Sequence, residues 1–227
     1  MDAAGAGALI VGAYLLGAAP SAYLVALWWR GIDIREYGSG NVGGSNAIAQ
    51  VGRMRGAPVI LFDVLIKAPV PVLLASDAVL GYGPGVQAAA GLAAVVGHNW
   101  SPFLKFAGGR GIGVGGGAML ALQWQLFVAY VGVAAACWVA TRNSPLAWAV
   151  SVVALPALAA ALGLRPELLV FAVVFLLVTA AKRVTSNPAS AAAVPTGIRG
   201  ARLFWNRLLY DRDVRDRDQW VGRKPGA

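Results

Sequence analysis

Apolar residues gather along this chain into seven runs, separated by connections of very different character. The runs cover Ala8 to Trp28, Pro58 to Leu80, Val86 to Val96, Ile112 to Leu122, Trp124 to Ala140, Leu146 to Leu162 and Glu167 to Ala181. A run of roughly 18 residues is enough to cross a bilayer as a helix. The pattern therefore predicts an all-α, polytopic integral membrane protein with seven transmembrane helices across residues 1–185. The third and fourth runs are short. They are expected to tilt, to extend into flanking residues, or to be partly re-entrant inside the bundle. Residues 186–227 break the pattern and form a charged tail.

Polar residues are not shared evenly among the connections. Three of them, residues 33–53, 97–117 and 141–145, carry nearly all the glycines, hydroxyls and amides outside the runs, together with the single histidine, His98. The alternate connections, GYGPG and GLRP, read as plain turns. Basic residues follow the same division. Seventeen of the 19 lysines and arginines flank the three polar connections or lie in the tail; Arg165 lies opposite, and Lys67 falls inside the second run. Positive charge marks the cytoplasmic side, so the N-terminus is expected outside and the C-terminus in the cytoplasm. There is no basic stretch ahead of the first run, so it is expected to persist as a helix, not to be a cleaved signal.

Composition agrees. Of 227 residues, 58% are hydrophobic and 13% charged, and the mean hydropathy is +0.65. A soluble domain carries about a quarter charged residues. The lone cysteine, Cys137, excludes an intramolecular disulfide and any cysteine-pair metal site, and a single histidine excludes a multi-histidine one. No metal or cofactor is expected. In the tail, RLFWNRLLYDRDVRDRDQW alternates acids and bases. That fits a solvated or interfacial amphipathic helix with Trp205, Leu208, Leu209 and Tyr210 among headgroups, and argues against nucleic-acid binding. No obligatory protein partner is evident.

The first polar connection contains YGSGNVGGSN and the second AGGRG. Glycine-rich backbone can present successive N–H groups to an anion, more so where it runs into a helix. Arginine adds bidentate contacts to phosphate oxygens, and Ser39, Asn41, Ser45 and Asn46 add neutral donors. Two such connections on one face, with His98, point to a site for a phosphate-bearing ligand; glycines that merely allow tight turns and close packing are the plainer reading. His98 is placed for substrate contact or proton transfer. No Ser-His-acid or Cys-His spacing is readable. Asp63 and Lys67 share a helix face and are expected to pair inside the bundle, either holding the second helix in place or contributing to the site.

These segments resemble the acyl-phosphate-dependent glycerol-3-phosphate acyltransferase family (PlsY) of bacterial membranes. IDIREYGSGNVGGSNAIAQVGR is similar to its first motif, GHNWSPFLKFAGGRG to its second, and FDVLIK to an Asp-x-x-Lys element of its second helix. The resemblance implies transfer of an acyl group from acyl phosphate to the sn-1 hydroxyl of glycerol 3-phosphate, giving lysophosphatidic acid and phosphate without a covalent acyl-enzyme. It implies a multi-pass protein of the bacterial plasma membrane with a cytoplasmic site, seven helices and the N-terminus outside. By motif position, Ser39, His98 and Arg110 would be catalytic. Asn41, Gly43, Ser45, Asn46, Arg53, Gly108, Gly109, Gly111 and Ser144 would bind substrate, and Asn187 would match an asparagine of the last motif. Several positions depart from the pattern. Ser45 replaces a threonine, Arg110 a lysine, Val114 a threonine and Ala49 an arginine, and the Asp–Lys element is one residue longer. Arg53 and Arg55 are the neighbouring cations available to replace the lost arginine. These departures leave open a member with an altered acceptor, or a non-catalytic phosphate- or phospholipid-binding protein.

Overall fold

A computed structural model describes residues 2–186 and 198–213. Asn187 and the tail beyond Asp213 lie outside them. Among the described residues the chain forms eleven α-helices and no strand. They are α1 (Ala3–Gly17), α2 (Ser21–Arg30), α3 (Gly44–Val51), α4 (Arg53–Phe62), α5 (Pro69–Leu74), α6 (Pro84–Asn99), α7 (Ile112–Leu122), α8 (Trp124–Thr141), α9 (Ser144–Ala161), α10 (Pro166–Thr185) and α11 (Gly200–Tyr210). Five stretches are long and apolar enough to cross a membrane: α1–α2 together, α4 through α5, α8, α9 and α10. At 16 residues α6 is somewhat short, and α7 has 11.

The first run is two helices, not one. Proline lacks an N–H and disfavours a helical residue before it, so Ala18, Ala19 and Pro20 break the helix between α1 and α2. Exposed backbone groups are tolerated at such depth only where protein satisfies them. Here Ser101 Oγ donates to Ala18 O at 2.7 Å, and Tyr14 Oη donates to Trp100 O at 2.9 Å. The break is thus pinned to the connection after α6. The same pair of helices packs backbone to backbone. A Cβ on Gly17 would lie 2.1 Å from Ala94 O, and one on Gly97 would lie 2.0 Å from Tyr14 O. Only glycine fits at either place, as at close helix contacts in membranes generally.

Two differences from the sequence expectation affect the site. Residues 33–53 are not all loop, because GSNAIAQV forms α3. Ala47 and Val51, four apart and hence on one face, are buried with Ala22, Ala26 and Val59. Polar residues at the start of the segment disguised this short amphipathic helix as loop. The second run is also not a single α-helix. It starts at Arg53 rather than Pro58, and Asp63–Lys67 winds as a π-helical turn before α5. Such turns commonly occur as single-turn bulges within α-helices, often near functional sites.

The main core lies among α5 to α10, where Met119, Leu126, Leu155, Phe171 and Phe175 are fully buried. Tyr130 sits in it with Trp148 and Phe175 at ring-centroid distances of 5.1 and 6.3 Å. Gly115 admits the Phe175 ring, which a Cβ there would meet at 2.2 Å. The outer surface is apolar: Leu24, Trp28, Val128, Val153 and Leu177 are all exposed. That is the surface of a protein solvated by hydrocarbon.

Candidate active site

The three polar connections converge on one cavity of about 610 Å³. Its polar wall includes Ser39, Asn41, Gly43, Ser45, Asn46, His98, Arg110, Gly111 and Ser144; its apolar wall includes Ile60, Ile112, Phe127, Val131 and Trp148. Nine of the twelve residues singled out from the sequence are on that wall, and Gly109 packs against the His98 ring behind it. Gly108 lies behind it too, and Arg53 is elsewhere.

The first connection is shaped by Asn46, at the start of α3. Its Nδ2 donates to Ile34 O, Tyr37 O and Asn41 O at 3.3, 3.1 and 3.0 Å. This one side chain cinches the YGSGN loop into a closed turn, and its amide protons are committed to the backbone. Ser39 Oγ accepts from the Asn41 N–H at 3.3 Å. At the loop entrance Arg35 grips Asp33 through Nε at 2.9 Å and donates from Nη1 to Leu104 O at 3.3 Å, joining the first connection to the second. The Arg35 hydrogen bonds hold the Asp33 carboxyl below its ordinary value of 3.8. This contribution is present above that value and is lost as pH falls through the lowered one.

The glycines of AGGRG serve packing. Gly108 O accepts from the Val42 N–H at 3.3 Å, and the Gly109 N–H donates to His98 O at 3.0 Å. A Cβ on Gly108 would come within 2.3 Å of His98 O, and one on Gly109 within 2.1 Å of His98 Nε2. The expectation that these two line the cavity as an anion cradle is therefore corrected: they let the loop close on His98. Gly111, at φ +72°, turns the chain into α7. The loop so held extends Arg110, whose Nη1 donates to Lys182 O at 2.8 Å and whose Nε pairs with Asp211.

Asp63 and Lys67 do pair, at 2.8 Å. The pair also reaches the site. Lys67 Nζ lies 3.2 Å from His98 Nδ1, Asp63 lines the cavity, and Ser21 Oγ donates to Asp63 at 3.2 Å. His98 Nδ1 also lies 3.9 Å from Asp63 Oδ1, so the imidazole is held against the Asp63–Lys67 pair. The extra residue between Asp63 and Lys67, relative to the Asp-x-x-Lys pattern, lies within the π turn.

Arg53 is exposed at the start of α4, away from the cavity, and Arg55 stacks on Trp29 with its guanidinium 4.5 Å from the ring centre. Neither replaces the arginine expected at position 49, where Ala49 lines the cavity. The cations that do line it beside Arg110 are Arg183, at the end of α10, and Arg212, after α11. Lys182 is fully buried beside them, its Nζ 5.3 Å from the centre of the Trp100 ring. In the sequence these residues register only as charges that set topology. Asp211 and Tyr210, also on the wall, fall in the stretch whose sequence predicts a solvated or interfacial amphipathic helix. Only KRV, ending an apolar run, hinted that α10 closes on the site.

A family profile described as Glycerol-3-phosphate acyltransferase matches residues 7–191. This chain belongs to that family. "Glycerol-3-phosphate acyltransferase 5" of Dehalococcoides mccartyi is 36% identical over 95% of this chain and 92% of its own. A glycerol-3-phosphate acyltransferase of Rubrobacter xylanophilus is 40% identical over 65% of this chain and 78% of its own. The crystal structure of PlsY, an integral membrane glycerol 3-phosphate acyltransferase in its glycerol 3-phosphate form, superposes with a TM-score of 0.73. It is 27% identical, covering 79% of this chain and 88% of that one. The glycerol-3-phosphate acyltransferase profile ends before α11, so Tyr210, Asp211 and Arg212 reach the cavity from outside the matched region.

Proposed function

We infer that this protein transfers the acyl group of an acyl phosphate to the sn-1 hydroxyl of glycerol 3-phosphate, releasing lysophosphatidic acid and phosphate. The observation that carries this reading is a cavity with a cationic end and an apolar end. Arg110, Asn41 and His98 line one end; Phe127, Val131 and Trp148 form the other. A second groove of about 290 Å³ between α8 and α9 shares Val131, Ser144 and Trp148 with it, and extends past Ala134, Ala135 and Trp138. Such a groove suits an acyl chain, and the polar end suits the phosphates. With residues 1–185 as a seven-helix domain, N-terminus outside, the polar end would face the cytoplasm of a bacterial plasma membrane. That is the side on which the basic residues concentrate.

The chemistry needs no protein nucleophile. The acceptor oxygen attacks the acyl carbonyl carbon, the acyl C–O bond to phosphate breaks, and phosphate departs with the bonding pair. The hydroxyl proton passes to a phosphate oxygen. Arg110 stabilises the charge on the departing phosphate, a preorganised electrostatic contribution, while His98 and Ser39 orient the acceptor. Cys137, on α8, is not on the cavity wall.

Purified protein in lipid should release inorganic phosphate from palmitoyl phosphate only when glycerol 3-phosphate is added. Folded protein that releases none refutes the reading. Ala49, which leaves an alanine on the wall where the family pattern has arginine, favours a second reading with a different phosphorylated alcohol as acceptor. Highest turnover with glycerol 3-phosphate in a screen of such alcohols rejects it.

A further inference from the structure

The chain folds back so that its own tail reaches the cavity. Two anchors hold the last helix against the bundle. Arg183 Nη1 donates to Leu208 O at 2.9 Å, and Arg207 Nη1 donates to Val184 O at 3.0 Å, while Arg183 Nη2 ties α10 to α9 through Pro145 O at 3.1 Å. Beyond the helix a tight hook forms. Asp211 adopts a left-handed conformation, φ +53°, which aspartate tolerates better than most residues. Arg207 Nε bonds to Asp213 Oδ1 at 2.6 Å, and Asn206 Nδ2 donates to Asp213 O at 3.0 Å. The hook turns the Asp211 carboxylate into the cavity. One oxygen pairs with Arg110 Nε, and the other accepts from Asn41 Nδ2 at 3.3 Å.

Arg110 and Asn41 are the donors that the proposed reaction gives to a phosphate. A carboxylate and a phosphate oxygen make the same demands on them and cannot both be satisfied at one place. We propose that residues 200–213 are an autoinhibitory plug, with the Asp211 carboxylate standing in for the phosphate group of a substrate. Substrate and tail compete, and turnover requires the hook to leave. This rests on the acyltransferase reading for the identity of the displacing ligand, but not for the existence of the anion site.

The test compares the full-length protein with Asp211→Asn, which removes the charge inside the cavity, and Arg207→Ala, which cuts an anchor outside it. Two measurements are made: the affinity for inorganic phosphate by titration calorimetry, and the KM and kcat for glycerol 3-phosphate. Both variants should bind phosphate about tenfold more tightly, the scale expected when a charge-assisted competitor is removed, and KM should fall with kcat undiminished. In the wild type, inorganic phosphate should hasten trypsin cleavage after Arg207 and Arg212. Equal or weaker phosphate binding in both variants overturns the plug and makes the hook part of the substrate site. Tighter phosphate binding without turnover in any variant upholds the plug while refuting the acyltransferase reading.

Discussion

Arg110 shows how one side chain gathers several demands. Its guanidinium spans from the Lys182 carbonyl to the Asp211 carboxylate. A phosphate oxygen responds first to the charge, so removing the charge should cost more than changing its shape. Arg110→Ala is expected to lower kcat/KM for glycerol 3-phosphate about ten- to a hundredfold, the equivalent of ~1.5–3 kcal/mol for a charge-assisted contact. Arg110→Lys, which keeps the charge, should retain most turnover. Unchanged kinetics in Arg110→Ala would remove it from the reaction. Arg110 and His98 could be picked out from residue type and neighbourhood. The roles of Gly108 and Gly109 could not, because composition does not say what a Cβ would strike. Asp211 was equally hidden: its partner Asn41 lies 170 positions away, and nothing local in YDRD indicates a fold back into the bundle.

At the scale of elements, length and hydropathy located α7 to its ends and α8, α9 and α10 to within a few residues. They failed where the chain changes winding or direction. The break at Pro20 had a visible cause, yet apolar residues on both sides made one run of it. The π turn at Asp63–Lys67 leaves no hydropathic trace, since it alters registration and not polarity. The α1–α6 contact is an exacting element pairing, because Gly17 and Gly97 bring two backbones together. Gly97→Val should separate them, at a cost of about 1–3 kcal/mol for overpacking. A lower midpoint of thermal unfolding in detergent is the expected result, with an unchanged midpoint contradicting the packing. The effect should reach the site, since α6 ends at His98 and Asn99.

The whole molecule separates its solvents. Hydrocarbon-facing side chains cover the outside, a polar cavity lies within, and the described part of the tail closes on that cavity. The division was readable from the clustering of glycine and basic residues; the closure of the cavity by a distant segment was not. The groove between α8 and α9 has its own consequence at this scale. Val131 and Trp138, both partly exposed on its wall, leave it open sideways, so a long alkyl tail could enter or depart without passing through water. Such a catalyst would sense two-dimensional, not bulk, concentration. Diluting palmitoyl phosphate with inert detergent at fixed total amount should slow the reaction in proportion to its surface mole fraction, whereas a rate set by bulk concentration would show entry from the aqueous side. Lateral entry would make the bilayer a reservoir as well as a scaffold, tying output to lipid crowding and the fluidity of the surrounding leaflet.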